Sequence, residues 1–206
     1  FININKNLLN NDIEPLKELL LELDKLNING IFYYDLAILK LKKELNLKTD
    51  LVWSQTHMVN NYKTCNYYHS KGVKYALLGK EITLEEIIEI INNTTITPMV
   101  EVLSLPSVAF SKRKLITNYY KDLNKEPKQE LDVVEKVTNS IYTLTEDENG
   151  TSFFSKDIVN GTSLIKKLFT GGLEYIIMRG YGIEEELFEE ILNDTKLYIN
   201  NSCTDN

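Results

Sequence analysis

Apolar positions recur along this chain at two spacings that take turns. Over residues 12–26, Ile13, Leu16, Leu19, Leu20 and Leu23 fall at helical intervals, with Asp12 as the cap and Pro15 in the first turn, where its missing N–H costs nothing. Gly30 then releases the chain into residues 31–34, a short β-branched and aromatic run that reads as a strand, and a second helical pattern covers residues 35–45. Next come a strand at 51–55, a helix at 59–70 with Gly72 as its terminator, and a strand at 73–79. Thr83-Leu84-Glu85-Glu86 has the form of a capping box, and Leu84, Ile87, Ile88 and Ile91 give the helix behind it one apolar stripe. Residues 97–105 form the following strand, with Pro98 at its start.

Short, nearly continuous apolar strands that alternate with helices of a few turns indicate a parallel sheet covered on both faces. Beyond residue 120 the alternation breaks. Residues 121–136 are charged, contain Pro127, and read as a loop with one solvated helix at its end. Residues 141–145 and 151–154 flank Asp147-Glu148-Asn149-Gly150, a hairpin signal. A last strand is expected at 174–179, a last helix at 183–192, and a disordered polar tail at 200–206. A complete (β/α)8 barrel needs about 250 residues, and only about six barrel-type strands are readable here. The expected fold is α/β: an incomplete or shortened TIM-type (β/α) barrel with mostly parallel strands and one inserted β-hairpin. It forms one domain over residues 1–199, with its N-terminal strand missing upstream of Phe1.

Composition narrows the partners. The net charge of -7 argues against nucleic acid and anionic lipid, which require clustered cations. The tightest basic cluster in this reading, Lys112-Arg113-Lys114, reads as a solvated helix face. No apolar run approaches the roughly 20 residues that cross a bilayer, so no membrane partner is expected. Two cysteines, Cys65 and Cys203, lie in a helical segment and in the polar tail, which argues against a bridge and for a reducing cytoplasm. Phe1 is followed by no leader pattern, and the expectation is that something upstream has been removed.

Three runs read together: SQTHMVNN at 54–61, VKYALLGKEITLEEI at 73–87, and EVLSLPSVAFSKRKLITNYY at 101–120. Their order and spacing resemble the peptidase U32 (collagenase-like protease) family, with a Glu-centred strand leading into a Ser-x-Arg-x-Leu element. The resemblance implies a TIM-type barrel, a peptidase-like hydrolase activity, and a hairpin whose Asp-Gly-Thr-like turn is here Asn149-Gly150-Thr151. Many members of that family carry four cysteines that resemble an iron–sulfur ligand set. Here Ser107 and Lys114 stand near the first two places and residues 121–136 contain no cysteine. A [4Fe–4S] cluster needs thiolates, so no cofactor is expected on this chain alone, and cluster-dependent RNA or quinone hydroxylation is not expected of it unaided.

In a parallel barrel, side chains at the C-terminal strand ends converge on one mouth. That rule selects Gln55, Thr56 and His57, then Lys80 and Glu81, then Glu146, then Arg179 as residues lining a polar mouth. Glu101 stands apart, because it interrupts an apolar strand where an isolated carboxylate is costly unless paired or facing a cavity. By the resemblance, Glu101 opens the family signature and Arg113 is its arginine, and the two are expected to pair as the catalytic candidates. His69, at a helix end, reads as a dipole-complementing cation rather than a catalyst. No metal site is expected, since His57 and His69 lack partners at ligand spacing, and neither a Gly-x-Ser-x-Gly elbow nor a phosphate-binding glycine loop occurs. Two readings remain. One is a U32-type peptidase acting on a peptide or small polar substrate at the mouth. The other is a non-catalytic binding or partner subunit, or an accessory to cluster-bearing relatives in RNA hydroxylation.

Overall fold

The computed structural model describes residues 1–55 and 57–202. Its elements are β1 (Ile2–Ile4), α1 (Ile13–Lys25), β2 (Ile31–Tyr33), α2 (Leu36–Glu44), β3 (Leu51–Trp53), α3 (Tyr62–Ser70), β4 (Tyr75–Leu77), α4 (Leu84–Asn93) and β5 (Thr97–Ser104). There follow β6 (Ser107–Ser111), α5 (Leu115–Asp122), β7 (Glu130–Val134), β8 (Ile141–Asp147), β9 (Gly150–Ser155), β10 (Val159–Asn160), α6 (Ile165–Thr170), β11 (Tyr175–Met178) and α7 (Glu185–Ser202). Contacts gather these into two compact units: Phe1–Glu101 with Leu164–Ile177, and Val102–Ser163 with the described residues from Met178 onward.

In the first unit β1 to β5 pair in sequence order, all parallel, and β11 pairs with β5. The curled parallel sheet is a half-barrel, an incomplete TIM-type barrel. Every residue of β2, β3 and β4 is buried, as expected of strands covered on both faces. One face carries Phe32, Val52, Tyr75, Leu77 and Met99, with Ile177 packed against them. On the other face Trp53 stacks on Tyr68 of α3 at a centroid distance of 3.9 Å.

The helix starts follow side-chain chemistry. Asp35 Oδ1 accepts from the Ala37 N–H, Asn61 Oδ1 from the Thr64 N–H, and Thr83 with Glu86 closes a reciprocal capping box. Asn61 therefore begins α3 at Tyr62, later than the expected start at residue 59. One strand that the sequence pattern did not indicate lies ahead of α1. Ile2–Ile4 pairs in register with Ile31–Tyr33, a three-residue run too short to read between its polar neighbours.

The second unit holds the expected hairpin, β8 with β9, inside a four-stranded antiparallel sheet of order β6-β9-β8-β7. The charged stretch expected to be a loop contains β7, whose Leu131 and Val133 pack with Tyr142 and Phe153 against Ile116, Tyr120 and Leu144. Only every second residue of β7 faces that core, so the charges between conceal the strand. Helix α7 extends through residues 200–202, which were expected to begin the disordered tail, and Cys203 lies outside the described residues. Among the described residues no helix is long and apolar enough to cross a membrane.

Cys65 is fully buried in α3, and burial pushes its thiol pKa up to about 11. Thiolate, not thiol, reacts with disulfide reagents. In a Cys203→Ser variant at neutral pH, Cys65 is expected to react with such a reagent only at the rate of unfolding. Fast labelling of the native protein would contradict this placement.

Candidate functional site

Glu101 is the buried charge of the first unit's sheet. It lies two residues beyond Met99 in β5, so the period-two alternation of a strand sets it on the same face as the Phe32, Val52 and Leu77 cluster. Its side chain is 3% exposed. A carboxylate there needs a cation, and the Lys80 ammonium, on the loop after β4, forms an ion pair with its Oε1. Register explains the meeting: Leu77 of β4 sits beside Met99 of β5, so the residues just past Leu77 emerge beside Glu101. The expected partner, Arg113, belongs to the second unit, and the cation facing Glu101 within the first unit is Lys80.

The other residues chosen at the mouth of the first unit divide in two. Gln55 bonds to its surroundings at both ends: the buried Trp53 indole N–H donates to its Oε1 at 3.0 Å, while its Nε2 donates to the Tyr34 carbonyl at 2.7 Å. Glu81 and His57 meet on the surface, Nδ1 to Oε1 at 3.1 Å, with side chains 67% and 61% exposed, where an ion pair is worth little. Thr56 lies outside the described residues.

Glu146 belongs to the second unit. It lies on β8 of the antiparallel sheet and caps α5 from across the unit. Its carboxylate accepts from the Ile116 N–H at 2.8 Å, from the Thr117 N–H and hydroxyl, and shares Oε2 with the Thr151 hydroxyl at 3.0 Å. Thr151, fully buried, also accepts from the Leu115 N–H and lies 2.8 Å from the Arg113 carbonyl. Its single proton can serve either Glu146 or Arg113 at one time. Gly150 makes this approach feasible: at φ +145 a Cβ would sit 2.1 Å from the Ser111 carbonyl oxygen. The Ser111-x-Arg113-x-Leu115 element and the Asn149-Gly150-Thr151 turn are thus two halves of one clasp, which Arg113 joins through its main chain. Its side chain is exposed. Arg179 is half-exposed, and its N–H donates to the Leu103 carbonyl at 2.8 Å.

Glu146 shows how the clasp responds to charge. Burial pushes its pKa up, but the hydrogen bonds from Thr117, Thr151 and the α5 backbone outweigh that and hold it below the usual carboxylate range. The iron–sulfur cluster of the family's cysteine-bearing members does not fit these residues. Cys65 is a buried, protonated thiol, and Lys114 donates its Nζ to the Asp147 carbonyl at 2.6 Å. Among the described residues no group of three His, Cys, Asp or Glu side chains could hold a metal ion.

An incomplete TIM-type barrel with a charged pair set into its sheet, in a chain that also carries a Ser-x-Arg-x-Leu clasp, defines a barrel-family protein with its candidate site at the strand ends. The chain belongs to peptidase family U32, whose family model matches residues 1–206. It is 26% identical over 205 residues to "tRNA hydroxylation protein P2" of Bacillus subtilis (strain 168), covering 96% of this chain. The chain spans 65% of that protein's length. Among solved structures it is similar to the spore cortex-lytic enzyme SleL of Bacillus megaterium QM B1551, at 8% identity and a TM-score of 0.37. That likeness covers 90% of this chain and 54% of the other.

Lys80→Ala takes the cation from a carboxylate that is 3% exposed and is expected to cost about 3 kcal/mol. Glu101→Gln is expected to cost about 1–2 kcal/mol, since the Lys80 ammonium can turn to water. Urea unfolding of both variants checks the order, and a costlier Glu101→Gln would contradict it. For Glu146 the folded state binds its proton less tightly than the unfolded state does. Its contribution is therefore full above the unfolded carboxylate pKa of about 4.3 and disappears as pH falls through the lower folded value. Glu146→Gln is expected to lower stability by about 1 kcal/mol at pH 7, and the gap should close in acid. A gap that widens below a pH of about 4.3 would contradict the capping role.

Proposed function

We propose that this chain serves tRNA hydroxylation as a cluster-free U32 subunit, with Glu101 and Lys80 holding a small polar ligand at the strand ends of its half-barrel. The observation that carries the reading is the similarity, over nearly the whole chain, to a protein named for tRNA hydroxylation. The geometry supports it in a specific way. Glu101 and Lys80 form a neutral pair on an otherwise apolar sheet face, at the strand ends where barrels of this type hold their ligands. Such a pair offers a ligand one acceptor and one donor at fixed positions, and either partner can be drawn away by a group of opposite charge.

Redox chemistry falls to a partner in this reading, because the two cysteines of these residues cannot supply the four thiolates of a [4Fe–4S] cluster. A second U32-type subunit bearing such a centre is the partner proposed, and the cytoplasm, where tRNA is modified, is the proposed location. The competing reading, hydrolysis of a peptide, is favoured by the family's name.

The test replaces, in Bacillus subtilis tRNA hydroxylation protein P2, the segment this chain matches with the chain itself, in a strain otherwise lacking that protein. Mass spectrometry of tRNA nucleosides is expected to show hydroxylated nucleoside restored, and lost again with Glu101→Gln. A folded, expressed chimera that restores none would contradict the proposal. Cleavage of casein or collagen peptides by the purified chain, abolished by the same variant, would favour the peptidase reading.

A further inference from the structure

The chain carries a net charge of -7, yet one groove of the first unit, about 290 Å³ in volume, has no acidic side chain in its lining. Leu39, Lys42 and Lys43 of α2, Asn46 and Leu47 just beyond it, and Lys71 at the end of α3 form its walls. Lysines near a helix C-terminus complement the dipole, which accounts for cations on each helix taken alone. It does not account for the way they are arranged. Lys42 turns inward, where its Nζ donates to the Thr49 carbonyl and Asp24 and Asp50 are its neighbouring charges. Lys43 and Lys71, both exposed, stand on two different helix ends and form no ion pair with a carboxylate among the described residues. Lys48, also exposed, adds a further cation close by in sequence. The acid nearest to them in sequence, Glu44, faces Lys40 at 3.7 Å.

An aromatic side chain stands beside these cations. Tyr67 is 58% exposed, and the Lys71 ammonium lies 5.1 Å from its ring centroid. Exposed cations spaced across a groove and flanked by an accessible ring match what unpaired RNA presents, a phosphate track with bases that can stack. The sequence-adjacent trio Lys112-Arg113-Lys114 fits this less well, because the Lys114 Nζ is held by the Asp147 carbonyl.

We propose that this groove is an RNA-binding surface, in which Lys43 and Lys71 hold phosphates of the backbone and Tyr67 stacks an unpaired base. It rests on the tRNA reading of the preceding subsection and adds where on this chain the RNA is held.

The test is fluorescence anisotropy of a labelled, unmodified tRNA transcript with the purified full chain, over a series of salt concentrations. Wild type is expected to bind with an affinity that falls as salt rises. Lys43→Ala with Lys71→Ala is expected to weaken binding severalfold and to reduce the salt slope by about 1.4, about 0.7 for each phosphate of an unpaired strand that the variant no longer neutralises. Tyr67→Ala is expected to weaken binding and leave the slope unchanged. Melting temperatures of both variants close to wild type confirm that binding, not folding, is being read. The inference is overturned if the double lysine variant keeps wild-type affinity and slope, or if wild type binds no tRNA. Nucleoside analysis of the chimera reads the functional proposal separately. Restored hydroxylation with an unchanged lysine variant removes the groove alone, whereas groove-dependent binding without hydroxylation removes the functional proposal alone.

Discussion

A carboxylate set into an apolar parallel sheet is the constraint around which the candidate site is arranged. Glu101 shares a sheet face with Phe32, Val52, Leu77 and Met99 and is 3% exposed, so in its charged form it requires a cation nearby. The parallel register of β4 and β5 supplies one, because the chain leaves β4 beside Glu101 and Lys80 is among the first residues past the strand. Desolvating two charges repays little in stability when compared with an apolar pair of the same size. Stability alone therefore gives little reason for a charged pair at this position, and the proposed function begins from that point.

The second unit solves a different problem with similar chemistry. Helix α5 starts without a side-chain cap of its own, and four N-terminal N–H groups of any helix need acceptors. Glu146 and Thr151, from a hairpin distant in sequence, supply acceptors for three of them, the Leu115, Ile116 and Thr117 N–H groups, and Gly150 permits the backbone approach. The motif residues that resemble the family's signature here hold a scaffold together. Two polar sets that look equally functional in sequence thus have opposite roles: one is committed to backbone groups, while the other faces an inner sheet surface.

Much of the first unit was legible because its signals are local. The Thr83–Glu86 capping box, the buried runs of β2, β3 and β4, and the isolation of Glu101 within an apolar strand each occupy a few consecutive residues. What was illegible depends on register or on packing across elements. Lys80 could not be chosen over Arg113 as the partner of Glu101 without knowing which strands adjoin. Strands β6 and β7 were hidden because each buries at most one face, and β6 exposes Val108 and Phe110. The bond from the Trp53 indole to the Gln55 oxygen likewise depends on how two side chains are turned and leaves no mark in the sequence. The basic groove joins two helix ends, although Lys40, Lys42, Lys43 and Lys48 within one short stretch were a signal that could have been weighed.

The central claim is that the Glu101–Lys80 pair is kept for its polarity at the strand ends and not for stability. The most direct measurement is the exchanged pair, Glu101→Lys with Lys80→Glu, followed in parallel by urea unfolding and by tRNA nucleoside analysis of the chimera. The account predicts that the exchange recovers a good part of the stability lost in Lys80→Ala, since an ion pair is present again, while hydroxylation stays absent because donor and acceptor have traded places. Hydroxylation at the wild-type level in the exchanged protein would contradict it and return the pair to the scaffold.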